Sequence, residues 1–147
     1  MPKKYDCAWL SWAATRWRRS NDTAAREAGR SALREGRADE AILAFRKHLK
    51  LRPRDGQTWA RLGHALKDQG RYEEAETAYR RACEIKPTSA YAWLHRGHLA
   101  KFKGDQQQAA SFFQRSFLLD GNAEAGRELL RLPGVAEPTI NAAAIVG

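Results

Sequence analysis

Long apolar runs are missing from this chain of 147 residues. Nothing in it approaches the roughly 18 uncharged apolar residues that a bilayer-spanning helix needs. Cysteine is scarce as well. Cys7 and Cys83 stand too far apart for a metal or redox motif, and their low number points to a reducing compartment. Lys3 and Lys4 precede a modest apolar stretch over 7–14, but Asp6 and Ser11 interrupt the pattern that a secretory signal would require. A cytoplasmic location is expected. No phosphate-binding glycine loop, no nucleophile beside a base and no paired carboxylates stand out, so neither an enzyme nor a cofactor is expected. Acidic residues are outnumbered, 17 against 26 Lys and Arg, and the formal net charge of +9 should attract anionic partners.

What the sequence does contain is a period. Pro53 and Pro87 are 34 residues apart, and the same step links Gly29, Gly63 and Gly97, then Gly36, Gly70 and Gly104, then Ala41, Ala75 and Ala109. Aromatics follow at Phe45, Tyr79 and Phe113, and aliphatics at Leu51, Ile85 and Leu119.

One unit explains the columns. Asp55 is a good N-cap for a helix over 57–69, which places Trp59, Leu62, Gly63 and Leu66 on one face. Gly70 closes that helix, because glycine adopts the left-handed conformation that a helix end requires. A second amphipathic run over 72–85 carries Tyr72, Ala75, Tyr79, Ala82 and Ile85 inward, and Pro87 ends it. Gly63 and Ala75 are small where the helices should cross. A hairpin apolar on more than one side must stack on its neighbours to bury that surface.

Trp59-x-x-Leu62-Gly63-x-x-Leu66, followed by Tyr72, Ala75, Tyr79, Ala82 and Pro87, resembles the tetratricopeptide pattern. The register gives repeats at 22–55, 56–89 and 90–123. The resemblance implies an all-α fold, a right-handed α-solenoid of three helix-turn-helix repeats with flanking capping helices. The first repeat departs at Ala25 and His48; the third departs at Arg96, Ser116 and Gly121. Residues 1–21 are expected to form an amphipathic capping helix, with Trp9, Trp12, Ala13, Arg16 and Trp17 on one stripe. The rival reading of that stripe is a membrane-surface contact through Trp9, Trp12 and Trp17. Asn122 can cap a helix over 124–132 that offers Leu129, Leu130 and Leu132 to the third repeat, and an apolar, irregular tail follows over 133–147.

The resemblance also implies a concave groove lined by the first helix of each hairpin. By column its candidates are Thr23, Arg26, Glu27, Arg30 and Arg34; Gln57, Ala60, Arg61, His64, Lys67 and Asp68; then Tyr91, Leu94, His95, His98, Lys101 and Phe102. Arg26, Arg30 and Arg34 share a helix face, and guanidinium forks suit carboxylates or phosphates. An acidic peptide segment of a protein partner is therefore the expected ligand of a scaffold or adaptor. Chaperone-binding members use Lys and Asn to grip a terminal carboxylate, whereas the columns here hold Arg26, Arg30, Arg61, Tyr91 and His95. The asparagine ladder of repeats joined to sugar-transferring enzymes is replaced by Glu27, Arg61 and His95. His64, His95 and His98 could converge, but neither a cysteine nor a clear carboxylate completes a zinc site, and no metal is expected. Cys83, Trp59 and Trp93 are expected to serve packing. Two rival functions remain open at this point: a regulatory module of a larger enzyme such as a glycosyltransferase, and a nucleic-acid-binding repeat protein.

Overall fold

The computed structural model describes residues 7–133, with side chains from residue 11 onward. Seven helices follow one another, with no strand among the described residues: α1 Cys7–Arg34, α2 Ala38–Leu51, α3 Gly56–Asp68, α4 Tyr72–Ile85, α5 Ala90–Phe102, α6 Gln106–Asp120 and α7 Ala123–Arg131. Helices α1/α2, α3/α4 and α5/α6 form the three hairpins, and each hairpin packs on the next. The result is an all-α solenoid whose core runs its whole length, with α7 covering the last hairpin.

The columns of the sequence are columns of contacts. Phe45, Tyr79 and Phe113 are fully buried, each with its ring against the bare Cα of the glycine one helix earlier. A Cβ on Gly29, Gly63 or Gly97 would lie 2.5, 2.8 or 2.5 Å from the ring carbons, a distance that real Cβ atoms do not tolerate. The tightest approach to Gly63 thus comes from the ring of Tyr79. The turns repeat as faithfully. Gly36, Gly70 and Gly104 have φ of 73°, 72° and 83°. The following N–H then reaches five residues back, from Arg37 to Ala32 O at 2.8 Å, Arg71 to Leu66 O at 2.9 Å and Asp105 to Ala100 O at 3.0 Å. Trp59 and Trp93 donate their indole N–H to the carbonyls of Pro53 and Pro87, both at 2.8 Å, which makes them clamps on the entry to each repeat.

Departures from the pattern find their own partners. His48, buried in the small-residue column, places Nδ1 2.5 Å from the Asp22 carboxylate and Nε2 2.9 Å from that of Asp55, tying α1, α2 and the cap of α3 together. Ser116, also buried, donates to Ala90 O at 2.9 Å. Arg96, in the leucine column, keeps only 14% of its side chain exposed. It pairs with Glu76 at 3.0 Å while its guanidinium lies over the rings of Phe112 and Trp93. Between α2 and α4 an apolar cleft of about 550 Å³ lies over Leu62, Leu66 and Trp59. One period later Arg96 occupies the Leu62 position.

Two expectations about the ends are corrected. Of the expected capping helix over 1–21, the described part from Cys7 is not separate, because α1 runs from Cys7 to Arg34 without interruption. No proline or glycine breaks the chain between Cys7 and Gly29, and Asp22 spends its carboxylate on His48 and Arg52 rather than on a helix start. Trp12 and Trp17 are consequently 56% and 66% exposed instead of packed on the first repeat. At the far end Leu129 and Leu132 are buried as expected, but Leu130 is 75% exposed, since α7 turns it outward between them. The side chain of Trp9 and the apolar tail beyond Pro133 lie outside the described residues.

The ring-on-glycine contact gives a direct test. Gly63→Ala should lower the unfolding free energy by about 1–3 kcal/mol, the usual cost of overpacking a filled core. Gly70→Ala meets nothing in space and should lose about 1–2 kcal/mol through its left-handed backbone. Urea denaturation separates the two causes, because adding Tyr79→Leu relieves part of the first loss and none of the second.

Candidate peptide-binding groove

Of the first helices of the hairpins, α1, α3 and α5, the last two bring Gln57, Ala60, Arg61, His64 and Tyr91 among the sequence candidates to one cleft. The cleft, of about 380 Å³, is lined by Leu33, Gln57, Ala60, Arg61, His64, Lys86, Ser89 and Tyr91. At the α1 side stand Arg26 and Arg30, each already near a carboxylate: Arg26 lies 4.0 Å from Asp55, and Arg30 lies 3.2 Å from Glu27. Arg61 is different. It is half-buried and makes no ion pair or hydrogen bond among the described residues. Burial, then repulsion from Arg30 and Arg26, pulls its pKa below the usual arginine value, against the attraction of Tyr91 and Asp55. Three guanidinium groups thus share too few acids.

Further along, the cations are matched by acids. Lys67 lies 3.8 Å and His64 Nε2 3.4 Å from Asp68, His98 Nε2 lies 3.1 Å from Glu124, and Lys101 lies 2.5 Å from the buried Glu128. Glu124 and Glu128 sit one turn apart on α7, which stands where the first helix of a fourth repeat would be. Hydrogen bonds from Lys101, with its charge, hold the Glu128 carboxyl below the usual range against the cost of burial. Positive charge is therefore concentrated at the α1–α3 end rather than spread along the groove. Arg34, in the last turn of α1, is exposed and forms no ion pair among the described residues. Leu94 is only 5% exposed, so it packs in the core and cannot line a pocket. Phe102 is exposed with its ring 4.5 Å from that of Tyr72.

The histidines converge, but ring on ring. His95 stacks on Tyr79 with centroids 5.4 Å apart, meets Tyr91 edge-on at 4.3 Å and His64 edge-on at 5.4 Å, and lies 6.0 Å from His98. Among the described residues no group of three or more His, Cys, Asp or Glu side chains is arranged to hold a metal ion. Burial drives the pKa of His95 down to about 3, with help from His64, Lys67 and His98. His64 is also lowered, chiefly by burial, with Asp68 opposing. The Nδ1 atoms of both rings are buried without a partner. The floor is therefore made of neutral imidazoles with hydrogen-bonding atoms to spare.

Residues 10–57, 26–90 and 60–123 each match the family model described as Tetratricopeptide repeat. The chain belongs to the tetratricopeptide repeat family. No curated protein matches its sequence. Among solved structures it is similar to the Arabidopsis OM64 TPR domain, at 20% identity and a TM-score of 0.74 over 78% of this chain and 96% of that one. It is also similar to the first TPR of Spaghetti (RPAP3) bound to the HSP90 peptide SRMEEVD, at 19% identity and a TM-score of 0.73 over 87% and 95% of the two chains. The second TPR domain of human RPAP3 in complex with the HSP70 peptide SGPTIEEVD matches at 23% identity with a TM-score of 0.72, over 78% and 97%.

Within this tetratricopeptide array Glu27 and Asp68 are among the sequence candidates, whereas the acidic partners Asp55, Glu124 and Glu128 are residues that sequence reasoning missed. Asp55 reads in the sequence as a helix cap, and it does cap α3 through the Thr58 N–H at 3.1 Å. Its carboxyl also faces His48 and Arg26. Burial works against that charge, but hydrogen bonds from Thr58 and His48 outweigh it and lower its pKa.

The state of His95 sets a pH dependence. An unfolded histidine near the ordinary value of 6.5 takes up a proton that the folded ring refuses until about pH 3. The His95 contribution to stability is therefore full above pH 6.5 and is lost progressively as pH falls toward 3. NMR should find the His95 ring silent between pH 8 and 5. Thermal melts of the wild type and of His95→Phe should differ by an amount that changes across that acid window.

Proposed function

We propose that this array is a non-enzymatic interaction module that captures an acidic peptide segment of a protein partner in the groove between α1, α3 and α5. The observation that carries this reading is Arg61, a half-buried guanidinium without an acid, held beside Arg26 and Arg30. A carboxylate arriving there would relieve the mutual repulsion and find fork-shaped donors ready for it. Beside that anchor Tyr91 offers a ring edge over the buried imidazole of His95. Support also comes from two similar folds whose bound peptides both end in the acidic sequence EEVD. The grip would differ from theirs in kind, since guanidinium and imidazole replace the lysine and asparagine expected of chaperone-binding members. A cytoplasmic adaptor is the role that fits such a module.

Fluorescence anisotropy with a labelled Glu/Asp-rich peptide at physiological salt tests the reading. Binding is expected, and Arg26→Glu combined with Arg61→Glu should weaken it on the order of a hundredfold, with helicity unchanged. Arg34→Glu, outside the cluster, should leave it nearly intact. If single-stranded RNA displaces the peptide and binds more tightly, the array is a nucleic-acid reader and the proposal fails.

A further inference from the structure

We propose that the amino-terminal half of α1 docks on an anionic membrane surface. Helix α1 has 28 residues where the other hairpin helices have 13–15, and the excess projects from the array as an arm. From Ser11 to Ser20 every side chain but the half-buried Ala13 is exposed, Trp12 and Trp17 among them. A helix of this length without tertiary packing is marginal in water, so a covering surface would stabilise it.

The geometry says which kind of surface. Helix α1 meets its own array through buried Ala25, Gly29 and Ala32. At 3.6 residues per turn Trp12 and Trp17 lie roughly 130° and 90° to either side of that face, with Ala13 between them about 130° from it. Both indoles therefore flank the side of α1 that faces away from the core. Arg16 lies in the same arc with its guanidinium 5.2 Å from the Trp12 ring, and Arg19 flanks it. Arg34 repeats the azimuth of Arg16 five turns later. Exposed tryptophans on a wide arc, bordered by arginines, are the features of a helix lying in a lipid interface.

Charge narrows the choice of occupant. Between Cys7 and Asn21 there are three arginines and no acid. Two such arms would repel, which disfavours pairing with the arm of a second copy; a negatively charged leaflet attracts them. Among the described residues no helix is long and apolar enough to cross a membrane, so the contact is peripheral.

Co-sedimentation of the full chain with vesicles of phosphatidylserine and phosphatidylcholine in equal parts tests this, with pure phosphatidylcholine vesicles for comparison. The protein should partition to the mixed vesicles only. Arg16→Gln, Arg18→Gln and Arg19→Gln together should lower partitioning on the order of a hundredfold, at a few-fold per basic residue near an anionic leaflet. Trp12→Ser with Trp17→Ser should lower it too, and in both cases the array should melt as the wild type does. Arg80→Gln, Arg81→Gln and Arg127→Gln remove the same charge elsewhere and should retain most of the binding. No partitioning, or equal losses in the arm and control variants, would overturn the proposal. So would tighter, arm-dependent capture of poly-glutamate or single-stranded RNA, which would give the arm a different partner.

Discussion

Everything in this array hangs on an aromatic ring resting where a side chain has been left off. Phe45, Tyr79 and Phe113 each fill the space that a Cβ on Gly29, Gly63 or Gly97 would need. A buried ring contributes more apolar area than any other side chain at such a crossing. Its flat face also brings the two helix axes closer than two ordinary side chains would allow. That approach fixes the roll of the first helix in each hairpin, and with it the direction in which positions such as Arg26, Arg61 and His95 emerge. The groove is a by-product of three identical crossings in register.

The groove itself is divided by chemistry. At one end three guanidinium groups face two carboxylates that are already committed. In the middle, burial keeps imidazoles uncharged. At the other end α7 supplies Glu124 and Glu128 to neutralise His98 and Lys101. A formal charge of +9 thus gives little guidance about local potential. What matters is which cations the fold leaves unanswered, and Arg61 is the one at the centre.

Much of this was legible in the sequence, and what escaped has a physical reason. The glycine, alanine and aromatic columns, the turn glycines and the Asp55 cap are local or periodic, so spacing alone finds them. The pairing of Lys101 with Glu128 or of Arg96 with Glu76 spans more than half a repeat and crosses between helices, where no spacing rule reaches. The fused α1 escaped for another reason. Asn21 and Asp22 look like a helix start, but Asp22 is drawn into the His48 and Arg52 network and the helix passes through. His48 and Arg96 read as flaws in a pattern; in the fold they are polar residues whose partners arrived with them.

The indole of Trp59 holds the carbonyl of Pro53, and that of Trp93 holds the carbonyl of Pro87, across identical gaps of six residues. The second and third repeats therefore each carry a latch to the exit of the repeat before, and the latch refers to nothing further away. Gain or loss of a whole unit leaves every such junction intact, whereas an insertion within those six residues separates tryptophan from carbonyl. Arrays built this way can change length by gene duplication without relearning how to fold, and the binding face lengthens one helix at a time.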